Sequence, residues 1–133
     1  MSNSGPFSID SSGKQRKDLA VAVVDDNPGI CKLVSDLVVR LGFKSPAFVA
    51  RDGQEIVNAV TKEGLSPDII IMDYRLPGID GIEASKIITK TRPGTKIIVA
   101  TAEDSIKPTA VALGFGFLQK PFSIRELLRA ISS

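Results

Sequence analysis

From Leu19 onward the apolar residues follow two alternating rhythms. Leu19-Ala20-Val21-Ala22-Val23-Val24, the interior of Asp68–Asp73, and Lys96-Ile97-Ile98-Val99-Ala100 are apolar at nearly every position rather than every second one. That is the pattern of a strand covered on both faces. Between these runs the period lengthens. Ile30, Leu33, Val34, Leu37 and Leu41 recur at helical spacing after Asp25-Asp26-Asn27-Pro28, which supplies capping residues and then proline, and Gly42 stands where such a helix stops. Phe43–Val49 reads as a strand whose Pro46 cannot donate to a ladder, so it belongs at a sheet edge. Asp52-Gly-Gln-Glu55 and Asp80-Gly-Ile-Glu83 each open a helix, one closed by Gly64, the other ending near Thr91. A short helix over Pro108–Leu113, a brief strand at Gly116–Gln119, and a last helix opened by Ser123-Ile-Arg-Glu126 complete the chain.

The order is βα repeated five times, which predicts an α/β fold: a doubly wound, five-stranded parallel sheet with helices on both faces. Strands 1, 3 and 4, the most apolar, belong in the middle, with 2 and 5 at the edges. Residues 1–17 are rich in Ser and Gly and end in Lys14-Gln15-Arg16-Lys17, so they read as a flexible leader before one domain over 18–133. A length of 133 residues suits one core.

Composition narrows the chemistry. Lys and Arg number 17 against 15 Asp and Glu, too even a balance for a nucleic-acid or polybasic membrane binder. No apolar run is long enough to span a bilayer or form a signal peptide, and the single cysteine, Cys31, fits a reducing cytoplasm. Histidine is absent. That excludes Ser-His-Asp and Cys-His nucleophile systems and His-ligated metals, leaving carboxylates, hydroxyls, Lys, Arg and a hard metal ion.

In an open α/β sheet, ligands bind beyond the carboxyl ends of the strands. Those ends carry Asp25 and Asp26, Asp73, Thr101 and Lys120. Parallel strands lie about 4.8 Å apart, so three carboxylates, a hydroxyl and an ammonium converge. Carboxylates that close repel one another unless a cation joins them, and Mg²⁺ suits an all-oxygen site with positions left open for phosphate. Mg²⁺ and Lys120 together would balance the three negative charges. Asp73, at the end of a central strand and before Pro77-Gly78, is the best-placed nucleophile for an aspartyl phosphate. Any one of these residues alone has an ordinary explanation as a cap, turn or surface charge; their coincidence at four strand ends does not.

Val23-Val24-Asp25-Asp26, Met72-Asp73-Tyr-Arg-Leu-Pro77-Gly78-Ile-Asp80-Gly81, Ala100-Thr101-Ala102 and Lys120-Pro121-Phe122 together resemble the receiver domain of two-component response regulators, over about residues 18–133. The resemblance implies a flavodoxin-like strand order 2-1-3-4-5. It implies that Asp73 is the phosphoacceptor for a sensor histidine kinase or phosphotransfer protein, and that the domain catalyses its own phosphorylation and dephosphorylation without being a conventional enzyme. Mg²⁺ would be held by Asp25, Asp26, Asp73 and the Arg75 backbone carbonyl. Lys120, the Thr101 hydroxyl and the Ala102 N–H would meet the phosphoryl oxygens, and Pro121 would follow a cis peptide aiming Lys120. Thr101 and Phe117 would form the switch that signals to a downstream protein or an output domain. Arg75 and Glu103, two residues past Asp73 and Thr101, border that site and are expected to modulate phosphate lifetime.

The stretch Glu103–Phe115 is short for this family and contains Pro108, so its helix is expected to span two turns or less; a homodimer stays open, but no standard dimerisation mode through that face is carried over. Two other readings stay open. A haloacid-dehalogenase-like phosphotransfer enzyme would also use an aspartyl nucleophile with Mg²⁺, yet would place an acid/base Asp where Arg75 stands. A degenerate receiver, acting only as an interaction module, would take no phosphate.

Overall fold

The computed structural model describes residues 15–44 and 46–133. Strands β1 (Val21–Val24), β2 (Phe48–Ala50), β3 (Ile69–Asp73), β4 (Lys96–Thr101) and β5 (Gly116–Gln119) form one parallel sheet in the order β2-β1-β3-β4-β5. Helices α1 (Pro28–Arg40), α2 (Gly53–Thr61), α3 (Gly81–Thr91), α4 (Lys107–Ala112) and α5 (Ile124–Ser132) connect and flank them. This is the flavodoxin-like arrangement expected.

The continuous apolar runs follow from the two-residue period of a strand. Val21, Val23, Ile69, Ile71 and Ile98 face one way, onto Val34 and Val38 of α1 and Leu127 and Ile131 of α5. Their neighbours Ala22, Val24, Ile70, Met72, Ile97 and Val99 face the other way, onto Ile56 and Val60 of α2 and Ile82 and Ile88 of α3. Each large apolar side chain so enclosed contributes roughly 1.5–3 kcal/mol.

Side-chain caps start four of the helices. Asn27, Asp52, Asp80 and Ser123 accept from the N–H groups of Ile30, Glu55, Glu83 and Glu126 at 3.1, 2.7, 2.8 and 3.0 Å. Glu126 returns the bond to the Ser123 N–H at 2.8 Å, closing the expected box. At the first helix the cap is Asn27 alone, which leaves both preceding aspartates free for other work.

Several boundaries differ from expectation, α4 by one residue at each end and others for a visible reason. The second strand starts at Phe48 rather than Phe43, because Phe43 closes the end of α1: its N–H bonds Val38 O at 3.2 Å, beside Gly42 at φ 98°. β1 starts at Val21, since the Ala20 N–H is taken by the Asp68 carboxylate at 2.8 Å. Arg16 and Lys17 of the expected leader form a 3₁₀ turn with Asp18, and Arg16 is 5% exposed with Nη1 donating to Leu41 O at 2.6 Å. The rest of that leader up to residue 14 lies outside the described residues. Among the described residues, no helix is long and apolar enough to cross a membrane.

Candidate functional site

β1 and β3 pair with Val24 opposite Met72, so the next residue of each, Asp25 and Asp73, emerge side by side at the carboxyl edge of the sheet. Both are buried, at 4% and 8% exposure, whereas Asp26 is exposed. One carboxylate oxygen from each of the three lies within 4.8 Å of the others. Lys120, just past β5, reaches across the end of β4 and brings Nζ within 2.5 Å of Asp25 Oδ2 and 3.4 Å of Asp73 Oδ1. Its backbone N–H donates to Thr101 O at 2.9 Å, and the peptide to Pro121 is cis. The four charged groups predicted to converge do converge.

Asp25 is held from several sides. Its N–H donates to Ala50 O at 3.1 Å, its Oδ1 accepts from the Asn27 N–H at 2.9 Å, and its carbonyl accepts from the Cys31 thiol at 3.2 Å. Arg51 Nε, arriving from the β2–α2 loop, donates to Asp26 O at 3.4 Å. Neither Cys31 nor Arg51 was indicated by a sequence motif. Cys31 is a lone cysteine within the first helix, and Arg51 meets Asp26 across 25 positions.

The loop after Asp73 folds back tightly. The Gly81 N–H donates to Tyr74 O at 2.8 Å, and a Cβ on Gly81 would sit 2.0 Å from Asp73 O. Only glycine permits that approach. Burial pushes the Asp73 carboxyl above the ordinary carboxylate range; Lys120 opposes the shift and Asp25 adds to it. Burial likewise raises the Cys31 thiol, in keeping with its role as a hydrogen-bond donor to Asp25 O.

Thr101 is buried at the end of β4, and its Oγ1 accepts from the Glu103 N–H at 3.2 Å. Glu103 also forms an ion pair with Arg75, whose guanidinium lies 5.5 Å from the Tyr74 ring centroid. Ala102 is exposed, and Phe117 is half-buried against the α2–α3 side of the sheet. The β4–β5 connection is as short as expected, a 3₁₀ turn at Asp104–Ile106 followed by six-residue α4.

The donors are all oxygens, and the three carboxylates with Lys120 carry two more negative charges than positive. A hard divalent cation fits that set. The family description "Response regulator receiver domain" matches residues 21–132. The chain belongs to the response regulator receiver family. Receiver domains switch on phosphorylation, bind Mg²⁺ at an acidic pocket, and interact with histidine kinases and with output or target proteins.

This receiver is 33% identical over 113 residues to the transcriptional regulatory protein TrcR of Mycobacterium tuberculosis, covering 83% of this chain. It spans 42% of the length of that relative. Among solved structures, the BeF₃-activated DrrB receiver domain superposes with a TM-score of 0.69 at 29% identity, covering 84% of this chain and 92% of that one. CheY in the CheX–CheY–BeF₃–Mg²⁺ complex of Borrelia burgdorferi shares the fold, with a TM-score of 0.79 at 23% identity over 95% and 94% of the two chains.

Proposed function

We propose that this receiver accepts a phosphoryl group on Asp73 from the phosphohistidine of a sensor kinase or phosphotransfer protein, and that the modification switches binding of a downstream protein or output domain. The observation carrying this reading is the buried Asp25–Asp73 pair with Asp26 and Lys120 around it. A carboxylate oxygen of Asp73 attacks phosphorus, the P–N bond breaks, and the imidazole leaves with the electron pair. Asp25, Asp26, Asp73 and the Arg75 carbonyl would hold Mg²⁺, which when bound neutralises charge on the phosphoryl oxygens. Lys120 pairs with one of those oxygens. The Thr101 hydroxyl and the Ala102 N–H move onto the others, and Phe117 repacks as Thr101 leaves its place.

A protein donor has somewhere to dock. A cavity of about 220 Å³ beside Lys120 is walled by Ile30, Leu33, Leu37, Ala102 and Phe122. Leu33 is 54% exposed there. The reducing context that a single free cysteine suits supports a cytoplasmic setting. Arg75 and Glu103, paired at the margin of the site, would govern how fast water reaches the phosphoaspartate; an R75A/E103A protein losing phosphate at the wild-type rate would end that reading.

The test is labelling by acetyl phosphate with Mg²⁺. The expected result is at most one alkali-labile phosphoryl group per chain, absent from Asp73→Asn. Labelling that persists in the variant would place the acceptor elsewhere. Sustained turnover of a phosphomonoester would favour a haloacid-dehalogenase-like enzyme, despite Arg75 at the position of its second Asp.

A further inference from the structure

Glu103 makes three contacts at once. Its N–H donates to the Thr101 hydroxyl, its carbonyl accepts from the Ile106 N–H at 3.2 Å and so closes the turn leading into α4, and its carboxylate is paired with Arg75. Arg75 belongs to the other loop, between β3 and α3, which Gly81 braces through Tyr74 O. The ion pair therefore bridges two loops that are 28 residues apart in sequence, with Asp73 at the root of one and Thr101 at the root of the other. If the Thr101 hydroxyl moves onto a phosphoryl group, the Glu103 N–H must either follow it or lose it. Glu103 cannot follow freely while its carboxylate is anchored across the gap.

We infer that the Arg75–Glu103 pair is a tether that holds the β4–α4 loop in its unphosphorylated arrangement, making Glu103 a positioning residue for Thr101. This deepens the phosphoacceptor reading and rests on it. A tether of this kind opposes the modified state by whatever the pair stabilises the unmodified one. For a largely exposed pair that corresponds to about a two- to five-fold bias, enough to set the fraction of switched molecules without blocking the switch. The side chains stand 73% and 33% exposed, so the bias is also sensitive to salt.

The experiment is titration of the Mg²⁺-loaded protein with beryllofluoride, a phosphoryl mimic, followed by the amide NMR signals of Thr101 and Phe117. Glu103→Gln keeps the backbone donor and the side-chain size but removes the charge. It should bind beryllofluoride about two- to five-fold more tightly at low salt, with the gain shrinking toward 1 M NaCl, where screening acts over ~3 Å. Asp104→Asn removes a neighbouring negative charge that makes no such pair, and should leave the midpoint unchanged. The charge-swapped R75E/E103R protein should return to the wild-type midpoint. A Glu103→Gln gain no larger than that of Asp104→Asn, or one indifferent to salt, overturns the tether alone. A wild-type protein that ignores beryllofluoride overturns the tether and the phosphoacceptor reading together.

Discussion

Lys120 stands closer to Asp25 than to Asp73: its Nζ is 2.5 Å from Asp25 Oδ2 and 3.4 Å from Asp73 Oδ1. The ammonium thus occupies the inner carboxylate that a divalent cation would also need. A cation held there would compete with Lys120 for Asp25, and Lys120 would then be left to turn toward whatever Asp73 carries. Lys120→Met should therefore bind Mg²⁺ several-fold more tightly while accepting phosphate from acetyl phosphate about ten-fold or more slowly, since a charge facing the developing phosphoryl oxygens is gone. Mg²⁺ titration and timed labelling read the two effects separately. Weaker Mg²⁺ binding in the variant would show that the lysine assists the ion rather than competing with it.

Asp73 ties stability to pH in chelated protein. Its folded pKa is raised by burial, so between the unfolded and folded values the native state binds more protons than the unfolded one. The stability it contributes is complete below the unfolded value, about 3.9, and is lost as pH rises through the folded value. Asp73→Asn removes that penalty. In EDTA at pH 7 the variant should melt above the wild type, and the two should converge below about pH 4. Saturating Mg²⁺ should raise the wild type and leave the variant behind. A variant that melts lower in EDTA at neutral pH would mean that the carboxylate is stabilised in place.

The site was legible in the sequence to the degree that single residues report it. Asp25, Asp26, Asp73, Thr101 and Lys120 each follow an apolar run, and parallel topology alone brings strand ends together. What the residue order does not record is pairing between loops. Arg75 and Glu103 could be named as neighbours of the site, but their ion pair depends on how two loops lean. Cys31 stands in the sequence only as a lone thiol, and its bond to Asp25 O depends on how the start of α1 sits against the end of β1. Arg16 reads as part of a basic leader because a Lys and Arg run is normally solvated; its bond to the carbonyl of Leu41, just past α1, depends on where that helix ends. The apolar character of Phe43 favours a strand, whereas the positive φ of Gly42 commits it to the helix terminus.

Gly81 sets two magnitudes against each other. Replacing glycine by alanine inside a helix gains about 1 kcal/mol of propensity. Here the new Cβ would meet Asp73 O at 2.0 Å, and the contact involves backbone that cannot rotate away. Overpacking of this kind costs typically 1–3 kcal/mol and shifts the backbone. The steric term wins, so Gly81→Ala should be destabilised, and its Asp73 should be labelled more slowly even where the protein stays folded. Gly94 provides the contrast, because a Cβ there meets nothing within 4 Å. Gly94→Ala should be neutral or stabilised by up to about 1 kcal/mol. Denaturant unfolding of the pair decides; equal stabilities would mean that the α3 entrance gives way without strain.

Leu33 separates donation by a protein from donation by a small molecule. It projects from α1 at the rim of the apolar cavity that ends at Lys120, and it is 54% exposed, so the fold itself does not depend on it. A protein donor that lays a helix along that wall would bury Leu33; acetyl phosphate needs no such surface. Leu33→Asp places an unpaired carboxylate where the donor's apolar side chains would lie, and desolvating it on docking is costly. Phosphotransfer from a kinase or phosphotransfer protein should fall about ten-fold or more, while labelling by acetyl phosphate and the melting temperature stay near wild type. Equal loss with both donors would trace the effect to the site rather than to docking, and no loss with either would remove α1 from the donor's footprint.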